Sequence, residues 1–253
     1  MTPLKIAVSD FDGTLAQEEN LVTKDDIAAI KDWQAAGHKF GLATGRGITM
    51  VTPILEKFGF KIDFLLATNG AVIFDENWHV LKSYSFPNKL TRKLLSEPVY
   101  QRLDHPMVVF TEKTAYSVVD YPEIPPELVT PAALGELMER GDIVQVSLRW
   151  SSVEENTQNT AAICEKFPAL IGNVNRVFMD LTLKEVNKAN GIAQLLRLKG
   201  WDDAQVYTIG DDKNDLAMIK KYNGSTVKSA KPFMHEATSQ IYATVGEMLR
   251  ANI

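Results

Sequence analysis

Two aspartates stand two residues apart directly after the first apolar run of the chain. The run 4–8 leads into the segment 10–14, which reads Asp-Phe-Asp-Gly-Thr. Because side chains alternate along an extended chain, this spacing predicts that Asp10 and Asp12 point the same way while Phe11 faces the core. Two carboxylates that close repel each other by about 4 kcal/mol at an effective dielectric constant of about 20. A divalent cation would offset this repulsion, and Mg²⁺ suits carboxylate oxygens.

Three further apolar runs end in polar clusters of the same kind. They are 39–43 before Thr44-Gly45-Arg46, 64–67 before Thr68-Asn69-Gly70, and 206–209 before the segment that holds Asp211 and Asp215. A single Asp-x-Asp-Gly is also common in ordinary turns. Four such clusters, each at the carboxyl end of an apolar run, favour a functional site over ordinary turns. Ligands of open α/β sheets bind at the carboxyl ends of the strands. The pattern predicts a functional site at one edge of the sheet.

The elements between these runs indicate how the sheet is built. Thr23 and Asp26 together predict the start of a helix, and Gly37 predicts its end. A strand begins again at Lys39, so strand, helix and strand follow one another. This order is typical of parallel sheets.

The order of predicted strands and helices changes in the middle of the chain. Between residues 84 and 184, strand-like stretches alternate irregularly with helices and Pro-rich loops. We therefore expect two domains. Residues 1–83 and 185–253 form a doubly wound, mostly parallel, Rossmann-like α/β sheet, and residues 84–184 form an inserted α+β domain.

The motifs resemble those of the haloacid dehalogenase superfamily, in particular its Cof-like, type IIB phosphatases. The four superfamily motifs occur in order, as Asp10-x-Asp12-x-Thr14, Thr44, Lys188, and Gly210-Asp211 with Asp215. The resemblance covers nearly the whole chain. It implies a catalytic core and an inserted cap that closes over the active site and determines substrate choice.

The resemblance also implies a role for each residue of the site. Asp10 is the nucleophile that forms an aspartyl phosphate, and Asp12 is the general acid and base. Lys188 supplies the positive charge beside the phosphoryl group. Lys184 is a nearby rival for that role, but the family segment ends in Ser or Asn followed by the lysine, which favours Lys188. The metal site, for Mg²⁺, consists of Asp10, Asp12, Asp211 and Asp215.

Four further residues are candidates for binding the substrate. Thr44 and Gly45 would contact the phosphoryl group, although Thr44 is also a plausible helix N-cap. Asn214 would contact the substrate or the metal site. Arg149, at the end of a predicted cap strand, would contact the leaving group or be a solvated arginine. Asn69 either orients groups in the site or occupies a turn.

Composition limits the partners of the protein. The 253 residues include 27 basic and 32 acidic side chains, for a net charge of −5, which argues against nucleic acid and anionic membranes as partners. No apolar stretch approaches the 18 residues or so of a membrane span. The single Cys164 excludes an internal disulfide, and the first residues show no signal-peptide pattern. We expect a cytoplasmic protein that is a monomer or a small homo-oligomer.

The sequence therefore predicts a Mg²⁺-dependent phosphatase of small phosphorylated metabolites, with sugar phosphates as the leading class. Two alternatives stay open at this point. One is a phosphomutase of the phosphomannomutase type, which would share this core and cap. The other is a non-catalytic binding protein on the same scaffold, against which the intact carboxylates argue.

Overall fold

The computed structural model describes residues 3–17, 21–119 and 124–253. The chain divides into two compact units. The core unit comprises residues 1–44, 53–82 and 187–253, and the inserted unit comprises residues 45–52 and 83–186. Residues 45–52, which fall inside the range predicted for the catalytic core, thus group with the inserted unit.

The elements follow one another in three stretches of the chain. The first contains β1 (Lys5–Ser9), α1 (Lys24–Ala35), β2 (Lys39–Ala43), α2 (Ile48–Phe58), β3 (Phe64–Ala67), β4 (Val72–Asp75) and β5 (Val80–Ser83). The second contains α3 (Asn88–Leu95), α4 (Pro98–Gln101), β6 (Met107–Thr111), β7 (Ala115–Val119), β8 (Thr130–Pro131), α5 (Leu134–Met138), β9 (Ile143–Arg149), α6 (Val153–Lys166), β10 (Leu170–Asn175) and β11 (Phe178–Leu183). The third contains α7 (Lys188–Lys199), β12 (Gln205–Gly210), α8 (Leu216–Lys221), β13 (Asn223–Val227), α9 (Pro232–Ala237), β14 (Ile241–Tyr242) and α10 (Val245–Asn252).

An eight-stranded sheet forms the centre of the core unit, in the order β14-β13-β12-β1-β2-β3-β4-β5. The strands from β14 to β3 pair in parallel, and β4 pairs with β3 in the antiparallel direction. Strands β1 and β3 are buried on both faces, because helices cover a parallel sheet on both sides. The parallel strands β12, β1, β2 and β3 are neighbours, so their carboxyl ends meet at one edge.

Local sequence accounts for the helices that connect these strands. The side chain of Thr23 accepts a hydrogen bond from the Asp26 N–H at the start of α1. Helix α7 begins at Lys188, after the N-cap Asn187, and ends at Gly200 in the left-handed conformation.

A six-stranded sheet forms the inserted unit, in the order β10-β11-β9-β6-β7-β8. Its strands are antiparallel except for the pair β7 and β8. One face packs against the helices in a hydrophobic core that includes Tyr100, Val109, Val146, Leu148 and Leu181. Strands β10 and β11 form an antiparallel hairpin over residues 170–183.

The two sheets confirm the predicted fold class, an α/β core with an inserted α+β unit. None of the helices in the described parts of the chain is long and apolar enough to span a membrane.

Candidate active site

A buried lysine joins two of the polar clusters. Lys188, the first residue of α7, is fully buried, and its Nζ donates to Asp10 Oδ1 at 2.5 Å and to Asp215 Oδ1 at 2.6 Å. Both carboxylates are themselves buried. The positive end of the helix dipole and the loss of water both disfavour an ammonium at this position. The two carboxylates compensate for both effects, so the three charges depend on one another.

Asp215 also holds the loop after β12. Its Oδ2 accepts hydrogen bonds from the backbone N–H groups of Asp211, at 3.0 Å, and of Asp212, at 3.2 Å. A Cβ at Gly210 would lie 2.4 Å from Asp215 Cγ, so only glycine allows this close approach. Asp212 caps the short helix at residues 213–215.

The loop after β1 contacts the loop after β12 through Asp211. The hydroxyl of Thr14 donates to Asp211 Oδ1 at 2.9 Å. Gly13 has a φ of +80°, and a Cβ there would lie 2.5 Å from Asp211 Oδ2. Glycine is therefore required at this position both for the backbone conformation and for the space that the Asp211 carboxylate occupies.

We expect Gly13→Ala to destabilise the protein by about 1 kcal/mol or more, because alanine is strained at positive φ, and to displace the Asp211 carboxylate. The measurements are the melting temperature and the rate of the reaction proposed below. Gly37→Ala is the matched control, since Gly37 has a φ of +87° and open space around its Cβ position. A variant at Gly13 that loses no more activity than the one at Gly37 would contradict the steric role.

Burial and charge shift the pKa values of the groups in this cluster. Burial alone would lower the pKa of Lys188, but the carboxylates of Asp10 and Asp215 raise it above its usual range. Burial raises the pKa of Asp10, and the Lys188 ammonium opposes that increase. Burial, together with the charge of Asp215, raises the pKa of Asp211 to about 6, while the hydrogen bond from Thr14 lowers it. Lys188 is therefore charged at neutral pH.

Three carboxylates of the cluster could hold a metal ion. One oxygen from each of Asp10, Asp211 and Asp215 lies within 4.8 Å of the others. A set of oxygen donors at the end of a strand fits Mg²⁺, which is bound in proteins through a few carboxylates and water. The side chain of Asp12 is exposed and is not one of the three.

Residues of the two remaining polar clusters lie beside these loops. Thr44 is fully buried at the end of β2, and its carbonyl oxygen accepts the Asn69 N–H at 2.8 Å. The side chain of Asn69 accepts a hydrogen bond from Asn214 Nδ2 at 3.1 Å. The sequence left the role of Asn69 open, because Thr-Asn-Gly after a strand is equally typical of an ordinary turn.

Gly45 and Arg149 belong to the inserted unit. The carbonyl oxygen of Gly45 accepts a hydrogen bond from the Gln145 side chain at 3.2 Å. Arg149 ends β9, where it pairs with Phe178. Lys184, the rival of Lys188, is also in this unit and is exposed.

Comparison with known proteins identifies the family. A model of the haloacid dehalogenase-like hydrolases matches residues 7–247. The chain belongs to this family. It is therefore an enzyme of the hydrolase class, and the resemblance carried by the four motifs is confirmed.

Several relatives of this hydrolase match over nearly their full length. A Bacillus subtilis protein named "Putative phosphatase YkrA" is 26% identical over 251 residues, which cover 96% of this chain and 93% of that protein. A haloacid dehalogenase-like hydrolase from B. subtilis has the same fold, with a TM-score of 0.83 at 18% identity over 99% of this chain and 100% of that one. So does a subclass IIB sugar phosphatase, with a TM-score of 0.79 at 20% identity over 98% and 97% of the two chains.

Proposed function

We propose that this hydrolase is a Mg²⁺-dependent phosphatase that cleaves small phosphate monoesters through an aspartyl phosphate on Asp10. The observation that carries the proposal is the buried Lys188 between Asp10 and Asp215, beside the carboxylate of Asp211. Phosphoryl transfer depends mostly on positioning and on electrostatic stabilisation. A fixed cation and a carboxylate at the same strand end would provide both. The phosphatase name of the B. subtilis relative supports this choice.

Asp10 would act as the nucleophile through Oδ2, because Lys188 holds Oδ1. The attack forms a bond between Oδ2 and phosphorus, and the bond from phosphorus to the ester oxygen breaks. Asp12 would give its proton to the departing oxygen, since its exposed side chain is accessible to the substrate. In the second step Asp12 takes a proton from water, whose oxygen attacks phosphorus and releases Asp10.

The other residues of the cluster would position these groups. Lys188 would offset the charge on the phosphoryl oxygens, and Thr44 would donate its hydroxyl to one of them. Asp215 would keep Lys188 and the Asp211 loop in place through the hydrogen bonds described above. Asp10 and Asp211 would hold Mg²⁺, with Asp12 contributing through its backbone carbonyl and Asp215 through water. The ion, when bound, would neutralise part of the charge of the phosphoryl group.

The inserted unit would act as the cap that selects the substrate. We propose sugar phosphates as the leading class, an assignment supported by the sugar phosphatase of the same fold. Arg149 is a candidate for contact with the leaving group, because it is a charged side chain at the end of a cap strand. Lid closure of this kind excludes water and completes the site. We also propose that the protein binds neither nucleic acid nor membranes and that it is located in the cytoplasm.

The direct test is phosphate release from a panel of phosphorylated metabolites, measured with and without Mg²⁺. Sugar phosphates should be hydrolysed fastest. If none of the esters in the panel releases phosphate, the proposal is overturned.

A phosphomutase would form the same intermediate on Asp10, so trapping that intermediate cannot separate the two activities. The acceptor differs, because a phosphatase transfers the phosphoryl group to water and a mutase transfers it to a second sugar hydroxyl. Incubation with hexose 1-phosphates and Mg²⁺ should release inorganic phosphate without a hexose bisphosphate. Formation of the 6-phosphate with little free phosphate would instead establish the mutase.

Removal of divalent ions should lower the rate of phosphate release by about 10²-fold or more, since a bound ion contributes several kcal/mol of charge stabilisation. Mg²⁺ should restore the rate and raise the melting temperature, because it binds only the folded protein. Asp211→Asn should abolish this rise. An unchanged rate after exhaustive chelation would contradict the metal site.

A further inference from the structure

The turn after β3 has an unusual backbone. Thr68, Asn69 and Gly70 are buried, and their φ angles are 49°, 58° and 95°. Positive φ is uncommon for residues other than glycine, and for a β-branched threonine it is a genuine outlier. Such conformations cost about 1–3 kcal/mol each and persist only where the surroundings enforce them, which is most often at functional sites.

The backbone of this turn holds the end of β2. The Asn69 N–H donates to the carbonyl oxygen of Thr44 at 2.8 Å. The N–H of Thr44 donates in turn to the carbonyl oxygen of Leu66 at 2.9 Å. Both backbone groups of the proposed phosphate-binding threonine are thus bonded to β3 and the turn that follows it.

The Asn69 side chain holds the loop after β12. Its Oδ1 accepts the Asn214 amide at 3.1 Å. Asn214 directly precedes Asp215, whose Oδ1 accepts from Lys188. The contact between Asn69 and Asn214 therefore holds the residue next to Asp215, whose carboxylate orients Lys188.

Gly70 brings the turn against the start of α7. A Cβ at Gly70 would lie 2.9 Å from the carbonyl oxygen of Asn187, the N-cap residue directly before Lys188. A Cβ at Gly191 would lie 3.3 Å from Gly70 Cα. Glycine is thus needed at position 70 for α7 to approach the turn this closely, and a side chain at position 191 would make the approach tight.

We propose that Asn69 is a positioning residue of this enzyme, and that its turn aligns the segments carrying Thr44, Asp215 and Lys188. Asn69 lies outside the four superfamily motifs, and it would act through Asn214 and Thr44 and not on the substrate. The inference rests on the proposed phosphatase function, because that reaction supplies its readout.

The test is a double-mutant cycle with Asn69→Gly and Asn214→Ala. Glycine at position 69 keeps the left-handed backbone without strain and removes only the side chain. Each single variant should lower kcat by about 10²-fold, the loss expected from a displacement of about 1 Å. KM should change by less than about threefold, since groups aligned for the transition state contribute little to ground-state binding. The double variant should lose no more than either single one, because both remove the same contact.

Asn252→Ala is the matched control, since it removes an asparagine side chain that donates to the carbonyl oxygen of Met248 within α10 and leaves the backbone carbonyl that accepts from Lys5 in place. Its kcat should equal that of the unmodified enzyme. Thermal melts must show each variant folded at the assay temperature. The proposal is overturned if Asn69→Gly retains full kcat, if the two losses multiply, or if the loss follows the unfolded fraction. An unmodified enzyme without phosphatase activity, or an active Asp10→Asn variant, would instead overturn the proposed function.

Discussion

Asp10→Asn is expected to abolish turnover, with a fall in kcat on the order of 10⁴- to 10⁶-fold, the range found when a covalent nucleophile is removed. The amide keeps the size of the carboxylate but cannot form the aspartyl phosphate. Lys188 retains its hydrogen bond to Asp215, so the fold should persist. Phosphate release and the circular dichroism spectrum should be measured on the same preparation.

A control separates loss of the nucleophile from general damage to the site. The unmodified enzyme, quenched during turnover, should carry acid-stable phosphate on Asp10, and the asparagine variant should carry none. Substantial activity in a folded Asp10→Asn variant would exclude the aspartyl-phosphate mechanism.

Lys188→Met should have the second-largest effect. Methionine fills much of the same volume without charge, so kcat should fall by about 10²- to 10³-fold, as when one fixed donor to a transition state is lost. Stability should also fall, by about 3–5 kcal/mol, because the buried carboxylates of Asp10 and Asp215 lose their shared partner.

Lys184→Met is the matched control for this variant. Lys184 lies four residues earlier and is exposed, so its replacement should change stability by no more than about 0.5 kcal/mol. Denaturant unfolding gives both stabilities, and kcat should be measured well below both melting temperatures. If the Lys184 variant loses more activity than the Lys188 variant, the assignment of the catalytic lysine is wrong.

The site depends on close approaches that only glycine permits. Gly13 makes room for the Asp211 carboxylate, Gly210 for the side chain of Asp215, and Gly70 for the backbone of Asn187. The first and the third of these approaches join segments that are distant in the sequence. The carboxylates and the lysine are consequently held by backbone geometry as well as by charge.

The sequence by itself determined the fold class and the position of the four polar clusters. Apolar runs of strand length, the helix start at Thr23 and Asp26, and the helix end at Gly37 are local signals. These signals can therefore be recognised without the tertiary structure. The order of the motifs was sufficient to indicate the family, which the family model confirms.

The alternation of side chains along a strand did not predict side-chain environments beyond the end of that strand. Asp10 and Asp12 were expected to point the same way, yet Asp10 is buried and Asp12 is exposed. Strand β1 ends at Ser9, and the chain turns at Gly13, so the two-residue period no longer applies there. The charge of Asp12 still raises the pKa of Asp10, as the expected repulsion implies, but the larger Coulombic effect on Asp10 comes from its partner Lys188.

Only the tertiary structure decided which charges meet. Lys188 is 178 residues from Asp10 and 27 from Asp215 along the chain. The contact between Asn69 and Asn214 spans 145 residues. No sequence spacing specifies such pairs, because they form only when the carboxyl ends of separate strands and the start of α7 come together at the same edge of the sheet. The chemistry of each residue is local, but the electrostatic field in which it acts is a property of the assembled sheet.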